Sequence, residues 1–196
     1  VYDYTPERSI AGLMKRLDYI ENLGVNAIEL MPVTEFDGNY NWGYSPNHYF
    51  ALDKAYGTPE QLKAFVDECH KRGIAVILDM VFNHATGLNP MNKLYPYGTE
   101  LAYNPWFNVN APHSDNVYED WNHDFYLTKL MFTRALQYWL KEYKIDGYRM
   151  DLSHGLCGTT NNAMTHIADY YNNGVKAVSE DAYFILEHWG SNMGSD

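Results

Sequence analysis

The chain has only two cysteines, Cys69 and Cys157. That is too few for a disulfide framework or a cysteine zinc motif, and it leaves the redox compartment open. No run of about eighteen apolar residues occurs, so no helical membrane span is expected. The start, Val1-Tyr2-Asp3-Tyr4, lacks a basic stretch followed by an apolar one, and no signal peptide is visible. Basic residues are scarce: 14 Lys and Arg stand against 25 Asp and Glu, for a net charge of −11. A polyanion such as nucleic acid is a poor partner for that surface, whereas a neutral substrate is not penalised. No glycine-rich phosphate turn follows an early strand-like run, since Met31-Pro32-Val33-Thr34 cannot cradle a phosphate. The histidines show no His-x-His pattern, and His48, His70, His113, His123 and His166 fall in predicted loops or helices. This spacing disfavours a metal-dependent hydrolase, and no metal site is expected for the chemistry.

What is present is enough apolar sequence for one core, 46% of 196 residues, and a high aromatic share with 18 Tyr and 5 Trp. Such rings serve cores, interfaces and sugar stacking alike. Helical and strand-like segments alternate. Ile10, Leu13, Met14, Leu17 and Ile20 mark one face of a helix over Ser9–Leu23, capped by Ser9 and ended by Gly24. Val25–Met31 reads as a buried strand stopped by Pro32. Thr58-Pro59-Glu60-Gln61 is a capping box opening a helix whose apolar stripe is Leu62, Phe65, Val66 and Cys69. Ile74–Leu78 is the next strand, ending in Asp79. A helix over Leu127–Tyr143 presents Leu127, Leu130, Met131, Ala135, Tyr138 and Trp139, and a strand over Ile145–Met150 ends in Asp151. A weaker helix over Asn162–Asn172 precedes a strand over Ala182–Leu186, which ends in Glu187.

This order predicts an α/β fold with a parallel sheet, and a (β/α)8 TIM barrel rather than a doubly wound sheet. Four strands are clear, with Val1–Asp3 as the tail of another. The expectation is therefore the N-terminal portion of the barrel, about strands 1 to 5, with some three strands following Asp196. Two long segments interrupt the alternation: Thr34–Gly57, and an insertion after the third strand over residues 85–125 that carries Tyr95, Tyr97, Tyr103, Trp106, Phe107 and Trp121. Loops this long, placed after strand ends, mark function in barrels. The ending Gly190–Asp196 reads as a loop.

Three successive strands ending in Asp79, Asp151 and Glu187 would converge on one mouth. Two carboxyl groups about 5–5.5 Å apart are what glycoside hydrolysis with retention needs, one as nucleophile and one as acid and base. Arg149 lies two residues before Asp151, on the same side of a strand, where its guanidinium can orient that carboxylate and keep it ionised. His84 can donate to a sugar hydroxyl, and Tyr44, within Trp42-Gly43-Tyr44, can stack on a sugar ring. Each of these has a structural reading as well: strand-end acids as caps, Arg149–Asp151 as an ion pair, and His84 as a packed histidine.

Together these segments resemble the motifs of the α-amylase family of glycoside hydrolases and transglycosylases. Asp79-Met80-Val81-Phe82-Asn83-His84 is similar to the family's first motif, Gly147-Tyr148-Arg149-Met150-Asp151 to its second, and Ile185-Leu186-Glu187-His188-Trp189 to its third. Glu29-Leu30-Met31-Pro32-Val33 and the Trp-Gly-Tyr loop look closest to branching enzymes, trehalose-releasing hydrolases and related amylases. The resemblance implies Asp151 as nucleophile and Glu187 as acid/base. It implies Arg149 holding Asp151, His84 and Tyr44 binding the reacting sugar, and Asp79 and Asn83 as structural residues of the site. It implies no cofactor for the chemistry. Asn83 matches a structural calcium ligand of many amylases and Asp120 matches another, but other branches of the family lack that calcium, so the ion stays open. The whole chain, residues 1–196, would be part of a catalytic barrel, with 85–125 resembling the family's small extra domain.

The implied activity is retaining hydrolysis of α-1,4-glucans such as starch, glycogen and maltooligosaccharides. Two alternatives stand beside it: an α-glucan transglycosylase of the branching type, and an inactive or binding-only fragment. The last arises because the family's fourth motif, a His-Asp pair, does not follow Glu187; His123-Asp124 lies in the wrong place. After Asp151 the family often has Lys-His at the third and fourth positions, where this chain has His154 and Gly155, so the leaving-group side is expected to differ. Localisation stays undecided: secreted or periplasmic if amylase-like, cytoplasmic if branching-enzyme-like.

Overall fold

A computed structural model of the chain describes residues 1–94, 104–158, 160 and 162–189. Tyr95, Tyr97, Tyr103 and the Gly190–Asp196 ending lie outside the described residues. In chain order the elements are α1 (Ile10–Met14), α2 (Leu17–Asn22), β1 (Ala27–Leu30), β2 (Thr34–Phe36), β3 (Pro46–Leu52), α3 (Pro59–Lys71), β4 (Ala75–Met80) and β5 (His84–Ala85). They continue with α4 (Pro90–Lys93), β6 (Glu119–Asp120), α5 (Tyr126–Tyr143), β7 (Gly147–Met150), α6 (Ala163–His166), α7 (Asn173–Lys176) and β8 (Tyr183–Leu186).

β1, β4, β7 and β8 form one parallel sheet in that order. Strands of increasing sequence number lie side by side with helices between them, as in consecutive staves of a barrel. Residues 1–3 form coil and turn rather than a further strand. The two faces of the sheet differ sharply. Val76, Leu78, Met80, Tyr148 and Met150 point outward and are buried beneath the helices. The opposite face carries Ala27, Glu29, Tyr183 and Ile185, all exposed, with Tyr183 at 54% and Ile185 at 42%. The register Glu29↔Ile77 and Asp79↔Arg149↔Ile185 puts the charged residues on this inner face.

The expected first helix is two. Arg16 N–H bonds the Leu13 carbonyl at 2.8 Å, an i to i−3 bond that tightens the chain between α1 and α2. The apolar face survives: Ile10, Leu13, Leu17 and Ile20 are all buried. Ser9 caps α1 through the Gly12 N–H, and the Thr58–Gln61 capping box of α3 is reciprocal, as its sequence predicts. α5 is rotated from the expected face. Phe132, Ala135, Leu136, Trp139, Leu140 and Tyr143 are its buried stripe, while Leu127 is exposed. Apolar residues extend beyond the buried stripe to Leu127, Leu130, Met131 and Tyr138, and polar anchors fix the rotation: Trp139 Nε1–H donates to the Tyr49 carbonyl at 2.8 Å, and the Tyr148 hydroxyl to the Leu136 carbonyl.

Thr34–Gly57 is not simply a loop. β2 and β3 pair antiparallel within it, and Tyr49 sits in the aromatic core against Phe82, Trp121 and Phe132. The described part of the 85–125 insertion makes a short β5–β6 ladder and a Phe107–Trp121 bridge. Phe107 and Trp121 pack into the same core as the sheet and helices. The weaker helix runs on to Lys176, with a π-helical turn over Ile167–Asn172 that brings the Tyr171 hydroxyl to His123 Nδ1.

Candidate active site

Each acidic candidate sits at the carboxyl end of a parallel strand. Asp79 is the penultimate residue of β4, paired in register with Arg149 of β7. Asp151 and Glu187 directly follow the last register pair of β7 and β8, Met150↔Leu186. The ladder continues past it, with Asp151 N–H to the Met80 carbonyl at 2.9 Å and Glu187 N–H to the Met150 carbonyl at 3.0 Å. Side chains alternate along a strand, so Arg149, Asp151 and Glu187 all face inward. Adjacent strands lie about 4.8 Å apart, which sets the scale of the gap between the last two.

Arg149 gathers all three carboxylates. Its Nη1 donates to Asp79 Oδ2 at 2.8 Å and to Asp151 Oδ1 at 2.9 Å, and Nη2 meets Glu187 Oε1 at 2.6 Å. The guanidinium side chain is 17% exposed and those of Asp79, Asp151 and Glu187 are 2%, 10% and 24% exposed. Burial raises the pKa of Asp151 to about 7, and the Asp79 charge pushes the same way, while Arg149 works against both. Burial likewise raises Asp79 to about 6, opposed by the Tyr44 hydroxyl and Arg149. Burial disfavours the charge on Arg149, but Asp79 and Asp151 outweigh it and hold the guanidinium above its usual range.

Tyr44 joins this cluster: its hydroxyl donates to Asp79 Oδ2 at 2.8 Å. Its own pKa is raised, first by burial and then by the Asp79 charge. His84 is placed behind Tyr44 rather than open to the cavity. The ring is buried, Nε2 donates to the Tyr44 carbonyl at 2.9 Å, and Nδ1 meets Asn83 Nδ2 at 3.3 Å. Both ring nitrogens thus have partners within the protein in this arrangement, and Nε2 steadies the Tyr44 backbone. Asn83 ties the strand end to the insertion, donating from Nδ2 to the Asp115 carbonyl at 3.1 Å.

Sequence reasoning passed over four contributors, Leu152, Asp115, Ser153 and His188. Leu152 adopts a left-handed conformation, φ 42°, and its N–H donates to Glu187 Oε2 at 3.0 Å. A positive φ at a branched residue is costly and tends to persist where function demands it, but no sequence signal announces it at a leucine. Asp115 reaches from the insertion to His154 Nδ1 at 3.3 Å. Ser153 Oγ and His188 Nδ1 lie 3.1 Å apart. His154 and His188, with ring centroids 5.4 Å apart, form a histidine pair beside Glu187.

The calcium ligands implied by resemblance are otherwise engaged. Asp120 Oδ1 accepts from His113 Nε2 at 2.8 Å and Oδ2 from Asn108 Nδ2 at 2.7 Å. Asn83 Oδ1 is buried without a hydrogen-bond partner, but it abuts Gly155: a Cβ there would stand 1.6 Å from it. Among the described residues no group of three His, Cys, Asp or Glu side chains is placed to hold a metal ion. These residues do not fit a bound calcium in this arrangement.

Parallel strands whose carboxyl ends gather three acids around one arginine define a barrel-type domain with an acidic mouth. The family model for the α-amylase catalytic domain matches residues 8–129, and the chain belongs to the α-amylase family. It is 36% identical over 170 residues to a malto-oligosyltrehalose trehalohydrolase of Saccharolobus solfataricus, covering 85% of this chain and 28% of that protein. It is 30% identical over 195 residues to an intracellular maltogenic amylase of Bacillus subtilis, covering 93% of this chain and 31% of that protein. Among solved structures, Amy13B of Eubacterium rectale superposes with a TM-score of 0.78 at 29% identity, over 93% of this chain and 40% of that one. The fold is therefore the N-terminal part of a (β/α)8 barrel, and the chain spans roughly a third of the length of these relatives.

Proposed function

We propose that this chain supplies the nucleophile and the acid/base of a retaining α-glucan hydrolase. The observation carrying the proposal is that Asp151 and Glu187 follow one another in register on neighbouring strands and share the Arg149 guanidinium. That spacing suits the separation of about 5–5.5 Å at which a carboxylate attacks directly, without room for an intervening water. Asp151 Oδ1 is held by Arg149, so Oδ2 is the attacking oxygen. It forms the bond to the anomeric carbon as the glycosidic bond breaks, and Glu187 gives its proton to the leaving oxygen. Glu187 then takes a proton from the water that releases the sugar. A carboxylate tied to a guanidinium cannot act as proton donor, so substrate entry must part Glu187 from Arg149. Tyr44, anchored on Asp79, stacks under the reacting sugar, and Asp79 and Asn83 fix the floor of the site.

The substrate class rests on the relatives, which are named a malto-oligosyltrehalose trehalohydrolase and a maltogenic amylase. Those names favour water over a sugar hydroxyl as acceptor, and branching-type transfer is the second reading. In the full-length protein, a Glu187→Gln variant incubated with α-maltosyl fluoride should accumulate a maltosyl ester on the peptide containing Asp151, read by mass spectrometry. The native protein should release product with the α configuration first, read by NMR. A β product would sink the retaining mechanism. Loss of iodine colour without new reducing ends would favour transfer over hydrolysis.

A further inference from the structure

Among the contacts that fasten the described part of the insertion after β4 to the barrel mouth, one brings Asn83, Asp120 and Gly155 together around the ring of His113. The imidazole side chain is fully buried and its Nε2 lies 2.8 Å from Asp120 Oδ1. The Asp115 N–H donates to Nδ1 at 3.1 Å. An accepting Nδ1 requires the proton on Nε2, so a neutral ring satisfies both neighbours. The second oxygen of Asp120 accepts from Asn108, at 2.7 Å. On its other side the ring meets the turn after β7: a Cβ on Gly155 would stand 2.9 Å from His113 Cε1. The ring therefore joins the β6 acid and the β7 turn directly and the strand end at Asn83 through Asp115, in the space bounded by the residues that the family resemblance marks for calcium.

A divalent cation bridges such segments by recruiting several oxygens at 2.3–2.6 Å. Here both oxygens of Asp120 already have donors, and Asn83 Oδ1 is buried against Gly155, where a Cβ would stand 1.6 Å from it. We propose that His113 takes the structural place of that cation, so that this chain locks its insertion to the barrel with its own side chains and binds no calcium there. Asp115, held through its N–H by His113 and through its carbonyl by Asn83, is then presented to His154 by an all-protein clamp.

The test uses melting and calcium binding, and so is independent of glucan cleavage and of the roles of Asp151 and Glu187. The full-length protein is dialysed against chelator and melted with and without about 1 mM calcium chloride. A site occupied to about a hundred times its dissociation constant would raise the Tm by several degrees. The expected result is a native Tm equal in the two buffers to within about 1 °C, with no heat of calcium binding in titration calorimetry, and a His113→Ala variant that melts several degrees lower in chelator. A calcium-dependent rise of several degrees in the native protein, or one tight calcium by calorimetry, overturns the proposal. So does a His113→Ala variant that melts with the native protein. Should that variant fail to fold, the two native measurements still decide whether calcium is bound.

Discussion

Replacing Arg149 by alanine removes the one positive charge that three inward-facing carboxylates share. Each charge-assisted hydrogen bond contributes on the order of 1.5–3 kcal/mol, and stripping the partner from buried charges costs about 3–5 kcal/mol. Asp79, Asp151 and Glu187 would then face one another unscreened, with Asp79 and Asp151 almost wholly buried. The carboxyls relieve this by holding protons. Asp151 already titrates near 7 because of burial and Asp79, with Arg149 opposing, so its pKa must rise further when the arginine goes. A rise of one to two units lowers the ionised fraction at pH 7 by roughly 5- to 50-fold. Loss of orientation adds about another hundredfold. We expect kcat/KM to fall by about 10²–10⁴, and the acid limb of its pH profile to move upward by at least one unit. Arg149→Lys should lie between, because an ammonium cannot reproduce the fork that reaches Glu187 through Nη2 and the two aspartates through Nη1. The measurement is kcat/KM on a maltooligosaccharide from pH 4 to 9 for the full-length protein and both variants. A profile for Arg149→Ala that overlays the native one, whatever its height, would refute the claim that Arg149 keeps the nucleophile ionised.

Asp151→Asn should stabilise the protein while abolishing turnover. The native pKa near 7 exceeds the ordinary 3.8, so between about pH 4 and 7 the folded state holds a proton that the unfolded chain has lost, and stability falls as pH rises through that window. The asparagine removes this slope, a gain of about 4 kcal/mol at most, reduced because Arg149 loses a partner. Its Tm should therefore exceed the native Tm at pH 8 by more than it does at pH 4.5; equal differences at both pH values would contradict the raised pKa. Gly155→Ala would thrust a Cβ to within 1.6 Å of Asn83 Oδ1, and we expect a loss of about 1–3 kcal/mol by denaturant titration. Tyr44→Phe removes the hydroxyl bonded to Asp79 but keeps the ring. It should leave KM within about threefold and lower kcat by about tenfold, since a hydrogen bond to a charged group is worth about 1.5–3 kcal/mol; a rise in KM alone would argue that the hydroxyl binds sugar instead.

The strand ends were the most legible part of the sequence. A short apolar run closed by an acid is a one-dimensional signal, and β4, β7 and β8 put Asp79, Asp151 and Glu187 where that signal says. The capping box at Thr58 was equally local and equally readable. The hairpin of β2 and β3 was not, because the Asn, Tyr and Gly between Asp37 and Tyr44 masked the alternation of Pro46–Leu52. The rotation of α5 was hidden for a different reason. With apolar residues extending beyond one stripe, hydrogen bonds from Trp139 and Tyr148 to distant or adjoining backbone carbonyls chose the buried stripe. His84 shows the limit at the site itself: its position in the motif was readable, but the engagement of its Nε2 by the Tyr44 carbonyl depends on a loop forty residues away.

That contrast separates two kinds of information at the mouth of the sheet. Backbone register delivers acids to adjacent strand ends, and it does so through periodicity that any apolar run expresses. What converts three crowded acids into a nucleophile, a proton donor and a support is asymmetry among their neighbours. Among the described residues, Tyr44 binds Asp79 and the Leu152 N–H binds Glu187, while Arg149 is the hydrogen-bond partner of the Asp151 side chain. Asp151 is consequently the acid with least compensation for its burial, which is why its pKa is pushed up and why its free oxygen is the one able to attack. The left-handed Leu152 sits between Asp151 and the turn that carries His154, so the strain of that one residue is what lets a single turn both end the strand and aim an N–H at Glu187. Replacing Leu152 by glycine should relax the strain without removing the N–H. The expected result is a modest gain in stability, read by thermal melting, with the Glu187 contact and activity kept; a loss of activity in Leu152→Gly would argue that the strain itself serves the site.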